Sequence, residues 1–183
     1  LGPRVAERVF VTRHIKEHMP EAFDFDIPSV CAIAPGVLGV TGVETMDIVF
    51  GVANKVKPDL IIAVDALASR RAARISTTIQ LSDSGISPGS GVGNTRADLS
   101  RANLGVPVIA VGVPLVVYAS TISQDTISLI ADETGLHGDE ERLRELAEQV
   151  IAKHMGDFIV TPKDIDVIVE DMAGIIANAI NSA

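Results

Sequence analysis

Short, uninterrupted apolar runs are the feature of this sequence that most restricts its fold. Leu60–Asp65 and Val106–Val113 are two such runs, Ser29–Ala34 is a third, and Thr77–Leu81 is a more alternating fourth. Runs of this length and composition are typical of strands that are buried on both faces of a mainly parallel sheet. The sequence therefore predicts a mostly parallel central β-sheet.

Segments with helical character lie between and around these runs. Helices are predicted over 4–19, 43–56, 123–132, 140–153 and 162–180. At the start of the last helix, Thr161 is of the type expected at the N-cap, and Pro162 is of the type expected at the first helical position. The pattern predicts a single α/β domain over residues 1–183, with helices on both faces of the sheet.

Charge and composition exclude several classes of function. The chain has 24 acidic and 15 basic residues and a net charge of −9, which repels a phosphate backbone, so nucleic acid is not an expected partner. No apolar run approaches the ~20 residues of a membrane helix, and no secretion signal is visible, so we expect a soluble, cytoplasmic protein with no membrane partner. The single cysteine, Cys31, suits a reducing compartment and is expected in the core, within a strand.

Two glycine-rich loops interrupt the regular elements. Residues 34–42 join a predicted strand to a helix, and residues 82–94 follow the run that ends at Leu81. Backbone amides of the first loop could hold an anion at a helix N-terminus. Neither loop matches a nucleotide-binding fingerprint, however, and positive φ with close packing explains the first loop's glycines better. The second loop is equally consistent with a backbone-lined substrate cleft and with a structural turn.

Asp65 is the most informative single residue. It ends the apolar run that begins at Leu60, and ligands of open α/β sheets bind at the carboxyl ends of strands, so its carboxylate is a candidate catalytic group. A helix cap or a loop anchor is the structural alternative. Three arginines follow closely: Arg70, Arg71 and Arg74. They could pair with this carboxylate or with acidic groups of a substrate. The alternative is that they form a solvated basic face.

A second aspartate, Asp83, begins the tripeptide Asp83-Ser84-Gly85 that pepsin-like proteases use. Those enzymes need two such aspartates in an all-β body, whereas this chain has one such tripeptide in an α/β pattern. Asp83 is therefore the second choice for a catalytic residue. His14 and His18 are one helical turn apart, but no third metal ligand accompanies them, so we expect both at the surface and predict no metal site.

Longer strings of residues resemble one family. They are 35–45 (PGVLGVTGVET), 62–68 (IAVDALA), 79–86 (IQLSDSGI), 88–94 (PGSGVGN), 104–110 (LGVPVIA) and 160–163 (VTPK). These strings are similar to the germination protease (spore protease) of endospore-forming bacteria. The resemblance runs from Leu1 to about Asp125 and resumes from Phe158 to the C-terminus.

The resemblance implies an atypical aspartic endopeptidase that degrades small acid-soluble spore proteins in the spore core during germination. It implies a three-layer, phosphorylase/hydrolase-like α/β sandwich, similar to hydrogenase-maturation proteases, and a homotetramer made as a zymogen with an N-terminal propeptide. No cofactor is expected. The family's catalytic aspartate corresponds to Asp65.

The same resemblance suggests where a substrate would bind. The glycine-rich loops would line the cleft and offer backbone groups to an extended peptide. The candidate cleft residues are Gly36, Gly39, Ser84, Gly89, Gly91, Gly93 and Asn94.

The family's second catalytic aspartate directly precedes its Leu-Gly-Pro segment and would lie just upstream of Leu1. We therefore expect this chain to lack that residue, together with the strand and propeptide before it. Two carboxylates a few ångströms apart share one proton, so the ionised member would activate a water and the protonated member would donate to the substrate carbonyl.

The sequence departs from the family pattern at one residue and in one segment. Tyr118 stands where the family usually has an aspartate, and the segment between Asp132 and Lys153 looks shorter than the family's insertion.

Related maturation proteases place acidic and His side chains around a metal, so a metal-assisted peptidase is the alternative enzyme. A non-catalytic binding or regulatory homologue is the other alternative, because half of the carboxylate pair would be missing.

Overall fold

The chain folds as an α/β protein. The computed structural model describes residues 1–19, 21, 27–89, 97–135, 138–154, 156 and 158–183. Within these ranges the strands are β1 (Ile61–Ser69), β2 (Gln80–Ser82), β3 (Val108–Tyr118) and β4 (Ile159–Val160). They form a sheet in the order β1-β3-β2, and β4 pairs with β3 in an antiparallel register. The general α/β class is confirmed, while the three-layer sandwich with a mostly parallel sheet stays a prediction.

Helices make up most of the remaining regular structure. The described helices are α1 (Gly2–Ala6), α2 (Arg13–His18), α3 (Leu38–Thr41), α4 (Thr45–Val56), α5 (Arg101–Leu104), α6 (Ala119–Thr134), α7 (Glu140–His154) and α8 (Ile165–Asn181). The helices predicted over 43–56, 123–132 and 140–153 are confirmed as α4, α6 and α7. Not one of the helices in the described ranges is both long enough and apolar enough to span a membrane.

The first of two compact units comprises residues 1–65, 82–110 and 166–183. Its core is a cluster of buried apolar side chains: Ala63, Leu99, Leu104 and Val108. Met46 and Val49 of α4 pack against this cluster. They are three residues apart and so lie on the same helix face, which is why the apolar stripe of α4 predicted a helix correctly.

The second unit comprises residues 66–81 and 111–165. Val113, Pro114 and Val117 of β3 are among its most buried side chains, as expected for an apolar run that is covered on both faces. Pro114 has no amide to donate, but its carbonyl accepts a hydrogen bond from the amide of Ser76 at 2.7 Å. Helices α6 and α7 pack against each other in this unit.

Both main strands are confirmed and run further than predicted. Strand β1 begins at Ile61, one residue after the start of its predicted run, and continues to Ser69; β3 begins at Val108, two residues after the start of its run, and continues to Tyr118. The other predicted strand of this region, Thr77–Leu81, begins only at Gln80. The sequence did not predict that β3 continues beyond Val113, because the next residue is Pro114 and proline usually interrupts a strand.

The predicted strand Ser29–Ala34 is wrong. The segment has no regular structure, because its backbone bonds to the start of α2. The carbonyl of Val30 accepts hydrogen bonds from the amides of Thr12 and Arg13, both at 3.0 Å. Cys31, which was expected in the core, is exposed.

The single helix predicted over 4–19 is also wrong, because the helix is interrupted: α1 ends at Ala6 and α2 begins at Arg13. The amide of Phe10 donates to the side-chain oxygen of Asn181 at 2.8 Å, and the amide of Thr12 donates to the carbonyl of Val30. These bonds replace those that a continuous helix would make to the preceding turn.

The last helix, α8, begins later than predicted. Its first residue is Ile165 rather than Pro162. Thr161 does not cap it, since the Thr161 hydroxyl donates to the carbonyl of Leu115 at 3.0 Å. The threonine therefore connects the chain to β3 instead of starting the helix.

Candidate active site

Asp65 lies in the middle of β1. The expectation that it ends the strand is wrong, because residues 66–69 continue β1 to Ser69. Its side chain is half-buried, and the two-residue alternation of a strand places it on the same face as buried Ala63. A carboxylate that borders an apolar core and remains open to water is suited to general acid–base chemistry.

The start of the chain lies beside the peptide bond that precedes Asp65. A Cβ atom built on Gly2 would be 2.9 Å from the carbonyl oxygen of Val64 and 4.0 Å from its carbonyl carbon. Only glycine allows so close an approach to backbone atoms. Helix α1 begins here with proline in its first turn, and buried Val5 anchors it. The beginning of α1 and the middle of β1 are therefore neighbours within the first unit.

Asp83 lies in an exposed bend after β2. The hydroxyls of Ser82 and Ser84 are 2.6 Å apart, and the amide of Ser84 donates to the Ser82 hydroxyl at 3.1 Å. Gly85 follows with a φ of 90° and lies against the carbonyl of Leu99. These contacts are those of a structural turn, and the surrounding α/β fold differs from the all-β body of pepsin-like enzymes.

The candidate cleft residues belong to two loops. Gly36 has a φ of 79°, as the structural explanation of the first loop predicts, and Gly89 has a φ of 73°; both lie in the left-handed region that favours glycine. Gly39 lies in α3 with open space around it, and Ser84 is exposed. Three further candidates lie outside the described residues: Gly91, Gly93 and Asn94. That these residues line a substrate cleft stays a prediction.

Other polar side chains that the sequence singled out are at the surface. His14 and His18 of α2 are exposed, as predicted. Arg70, Arg71 and Arg74 are also exposed, around a 3₁₀ turn that follows β1. In the described ranges, His, Cys, Asp and Glu side chains do not gather in groups of three or more that could hold a metal ion.

Tyr118 ends β3 opposite Ile159 and directly precedes α6. With Ser120, Glu148 and Phe158 it lines a pocket of about 110 Å³ in the second unit. The position is therefore at the end of a sheet strand, beside polar groups of α6 and α7.

Sequence reasoning missed the residues that hold the N-terminal segment. Glu170 and Asn181 of α8 bond to Arg4, Arg8 and Phe10. The hydrogen bonds among these contacts join residues that are 162 to 173 positions apart in the sequence. No local sequence pattern could therefore indicate the contacts. Gly2 was likewise unnoticed, since its close neighbour lies in another element.

Comparisons with known proteins agree on one family. A family model described as germination protease matches residues 1–142. A germination protease of Clostridium tetani is 45% identical to the whole of this chain, which covers 61% of that protein. A germination protease of Caldanaerobacter subterraneus is 48% identical, again over the whole chain and 60% of its own length. The chain thus spans about three fifths of the length of these relatives.

A solved structure of a Mycobacterium tuberculosis proteasome-assembly chaperone homologue also aligns. It covers 82% of this chain and 69% of its own, at 15% identity and a TM-score of 0.24. A similarity of this size supports no argument about fold or function.

Proposed function

Because the chain belongs to the germination protease family, we propose that it supplies the catalytic carboxylate Asp65 of an endopeptidase that degrades small acid-soluble spore proteins during spore germination. The enzyme is of the atypical aspartic type and uses two carboxylates and a water molecule. It works without a metal or other cofactor, as a homotetramer in the cytoplasm of the spore core.

The observation that carries this proposal is the setting of Asp65. The side chain is half-buried on β1, and a Cβ on Gly2 would lie 2.9 Å from the carbonyl oxygen of Val64, the residue before it. In a longer chain, the residue bonded to Leu1 is two positions from this contact. An acidic residue bonded to Leu1, as in the family pattern, would therefore lie close to Asp65.

The mechanism follows from two neighbouring carboxylates. Like charges a few ångströms apart cannot both ionise readily, so the pair holds one proton near neutral pH. The ionised member takes a proton from water, whose oxygen attacks the peptide carbonyl carbon, while the protonated member donates to the carbonyl oxygen. The tetrahedral intermediate then collapses, the C–N bond breaks, and a carboxyl proton passes to the leaving amine. Which of the two roles belongs to Asp65 is left open by the symmetry of the pair.

The substrate is an unfolded polypeptide. In the proposed cleft, backbone N–H and C=O groups of the two glycine-rich loops pair with an extended peptide irrespective of its side chains. Such binding suits a family of small proteins that lack a folded core. The exposed Gly39 and Ser84 are described members of this proposed cleft.

Two isosteric variants test the assignment in a chain that extends upstream of Leu1. Asp65→Asn keeps the shape and removes the ionisable group, so we expect cleavage of an acid-soluble spore protein to fall by about 10³-fold or more, with little change in stability. Asp83→Asn serves as the matched control, and its cleavage rate should stay near that of the parent. Loss of cleavage in Asp83→Asn but not in Asp65→Asn would overturn the proposal. Activity that chelators abolish would favour the metal-assisted alternative.

A further inference from the structure

Three arginines follow β1 within five residues, in a stretch of sequence that holds no acidic residue. They are Arg70, Arg71 and Arg74, and residues 66–82 contain neither Asp nor Glu, although the whole chain has 24 acidic and 15 basic residues. We infer that these arginines form a binding site for an extended, acidic polypeptide segment that has two carboxylates two positions apart. The inference deepens the proposed function, on which its bearing on cleavage rests.

The guanidinium groups of these three arginines are available to a ligand. All three residues are exposed. Other arginines of the described ranges have a carboxylate within ion-pair distance: Arg4, Arg8, Arg13 and Arg144. Among the residues that the structure describes, no Asp or Glu side chain forms such a pair with Arg70, Arg71 or Arg74. Their charges are therefore not neutralised by a described neighbour.

The backbone between these arginines is ordered by a buried side chain. Ser69 is 5% exposed, and its hydroxyl donates to the carbonyl of Arg71 at 2.5 Å and accepts from the amide of Arg71 at 3.3 Å. The amide of Arg74 donates to the same carbonyl at 3.1 Å, at the start of the 3₁₀ turn Ala72–Arg74. The relative position of Arg71 and Arg74 is thus fixed by hydrogen bonds of the protein itself.

A connection to α6 holds the same turn. The amide of Ala72 donates to the carboxylate of Asp125 at 2.7 Å, and α6 packs against the turn. The hydroxyl of Thr77 donates to the carbonyl of Ala73 at 3.2 Å. All of these bonds use backbone groups of the turn, so they leave the guanidinium groups free. A site whose backbone is ordered in advance loses less conformational entropy when a ligand binds.

The spacing of Arg71 and Arg74 matches that of side chains on an extended peptide. Arg71 is the N-cap of the 3₁₀ turn and Arg74 is its last residue. Residues three positions apart in such a turn lie on one side of it, about 6 Å apart. In an extended peptide, residues two positions apart share a face and are about 7 Å apart. Each guanidinium can therefore bind one of two such carboxylates through paired N–H donors.

An acidic polypeptide suits this site better than a nucleic acid does. Residues 66–82 contain no Phe, Tyr or Trp, whereas sites for single-stranded nucleic acid stack bases on aromatic rings. A continuous phosphate backbone would also bring more negative charge close to a chain of net charge −9 than two carboxylates do.

The test measures the binding of short peptides to the full chain, which carries Asp65→Asn so that no peptide is cleaved. The probe is fluorescently labelled Gly-Glu-Gly-Glu-Gly, and its binding is followed by fluorescence anisotropy at low salt. We expect Arg71→Gln combined with Arg74→Gln to weaken binding about tenfold or more. Added salt should weaken the binding to the parent. Peptides with glutamine in place of glutamate, or with the two glutamates adjacent, should bind the parent less tightly.

Arg101→Gln combined with Arg142→Gln is the matched control. It removes the same number of charges at exposed positions outside the turn, so the net charge of the two double variants is equal. The control should keep the parental affinity for the peptide. Urea unfolding should be nearly the same for both double variants and the parent, because all four substitutions are at the surface.

A second readout uses cleavage by a chain that extends upstream of Leu1. For a substrate with two glutamates two positions apart, Arg71→Gln combined with Arg74→Gln should raise KM about tenfold and leave kcat near the parental value. The reason is that this contact is the same in the ground state and the transition state. For a substrate with glutamine at both positions, the parent and the variant should have similar KM values.

Each outcome decides one of the two proposals. Parental peptide affinity in the Arg71 and Arg74 double variant, or an equal loss in the control, would refute the binding site, while loss of cleavage in Asp65→Asn would leave the proposed function standing. A single-stranded oligonucleotide that binds the same arginines more tightly than the peptide does would overturn the assignment to a polypeptide. Unchanged cleavage in Asp65→Asn would instead refute the proposed function, and the peptide binding would remain.

Discussion

Replacement of Gly2 by alanine perturbs the contact on which the proposed active site depends. The added Cβ would lie 2.9 Å from the Val64 carbonyl oxygen, whereas ordinary contacts begin at 3.4 Å. The obstacle is a backbone atom within β1, so it cannot turn aside as a side chain could. The start of α1 must therefore retreat by about half an ångström.

The size of the effect can be worked out from this shift. A misplacement of about 1 Å costs roughly 10²-fold in rate, so half of that distance is expected to lower kcat about tenfold. Overpacking costs about 1–3 kcal/mol of stability, and the better helix propensity of alanine offsets up to about 1 kcal/mol. The net loss of stability should thus be small enough for the variant to fold.

The assay measures kcat on an unfolded acid-soluble spore protein, with urea unfolding as the measure of stability. Gly51→Ala is the matched control, since Gly51 lies in α4 with open space around the position of a Cβ. It should be stabilised by about 0.5–1 kcal/mol and keep full activity. A Gly2→Ala enzyme with parental kcat would show that this contact does not set the catalytic geometry.

Two further predictions concern the packing around the sheet. Gly112→Ala directs a Cβ to 2.8 Å from Leu67 Cγ, so we expect a loss of about 1–3 kcal/mol in urea unfolding; Leu67→Ala in the same chain should recover part of it, and strict additivity of the two changes would contradict the contact. Asp125→Ala removes the acceptor of the Ala72 amide at 2.7 Å and should cost about 1 kcal/mol; Asp125→Asn, which keeps an acceptor, should cost less, and equal losses would argue against this hydrogen bond.

Elements whose apolar pattern matches their own packing were predictable from sequence. The helical stripe of α4 and the apolar runs of β1 and β3 are such cases. Ser29–Ala34 has the same composition as these strands, but a strand needs a neighbour that completes its hydrogen bonds, and here the start of α2 takes that place. Composition alone does not distinguish these two outcomes.

The end of β1 and the contacts around the candidate site both depend on segments that are distant in the sequence. Asp65 was expected at a strand end because the strongly apolar run stops there, yet β1 continues, with Leu67 packed on Gly112 of β3. Asp65 itself was chosen as a candidate from its residue type, its apolar run and the family resemblance, and its catalytic role stays a prediction. The parts of the site that depend on contacts between distant segments, Gly2 with Val64 and α8 with Phe10, could not be predicted.

The two-carboxylate account is tested most directly by one comparison of cleavage rates. A polypeptide that starts at Leu1 and a longer chain with the upstream acidic residue are assayed side by side on the same unfolded acid-soluble spore protein. The account predicts cleavage by the longer chain and none by the form that starts at Leu1, because the proposed mechanism needs two carboxylates and that form supplies only one of them. Full activity of the form that starts at Leu1 would contradict it.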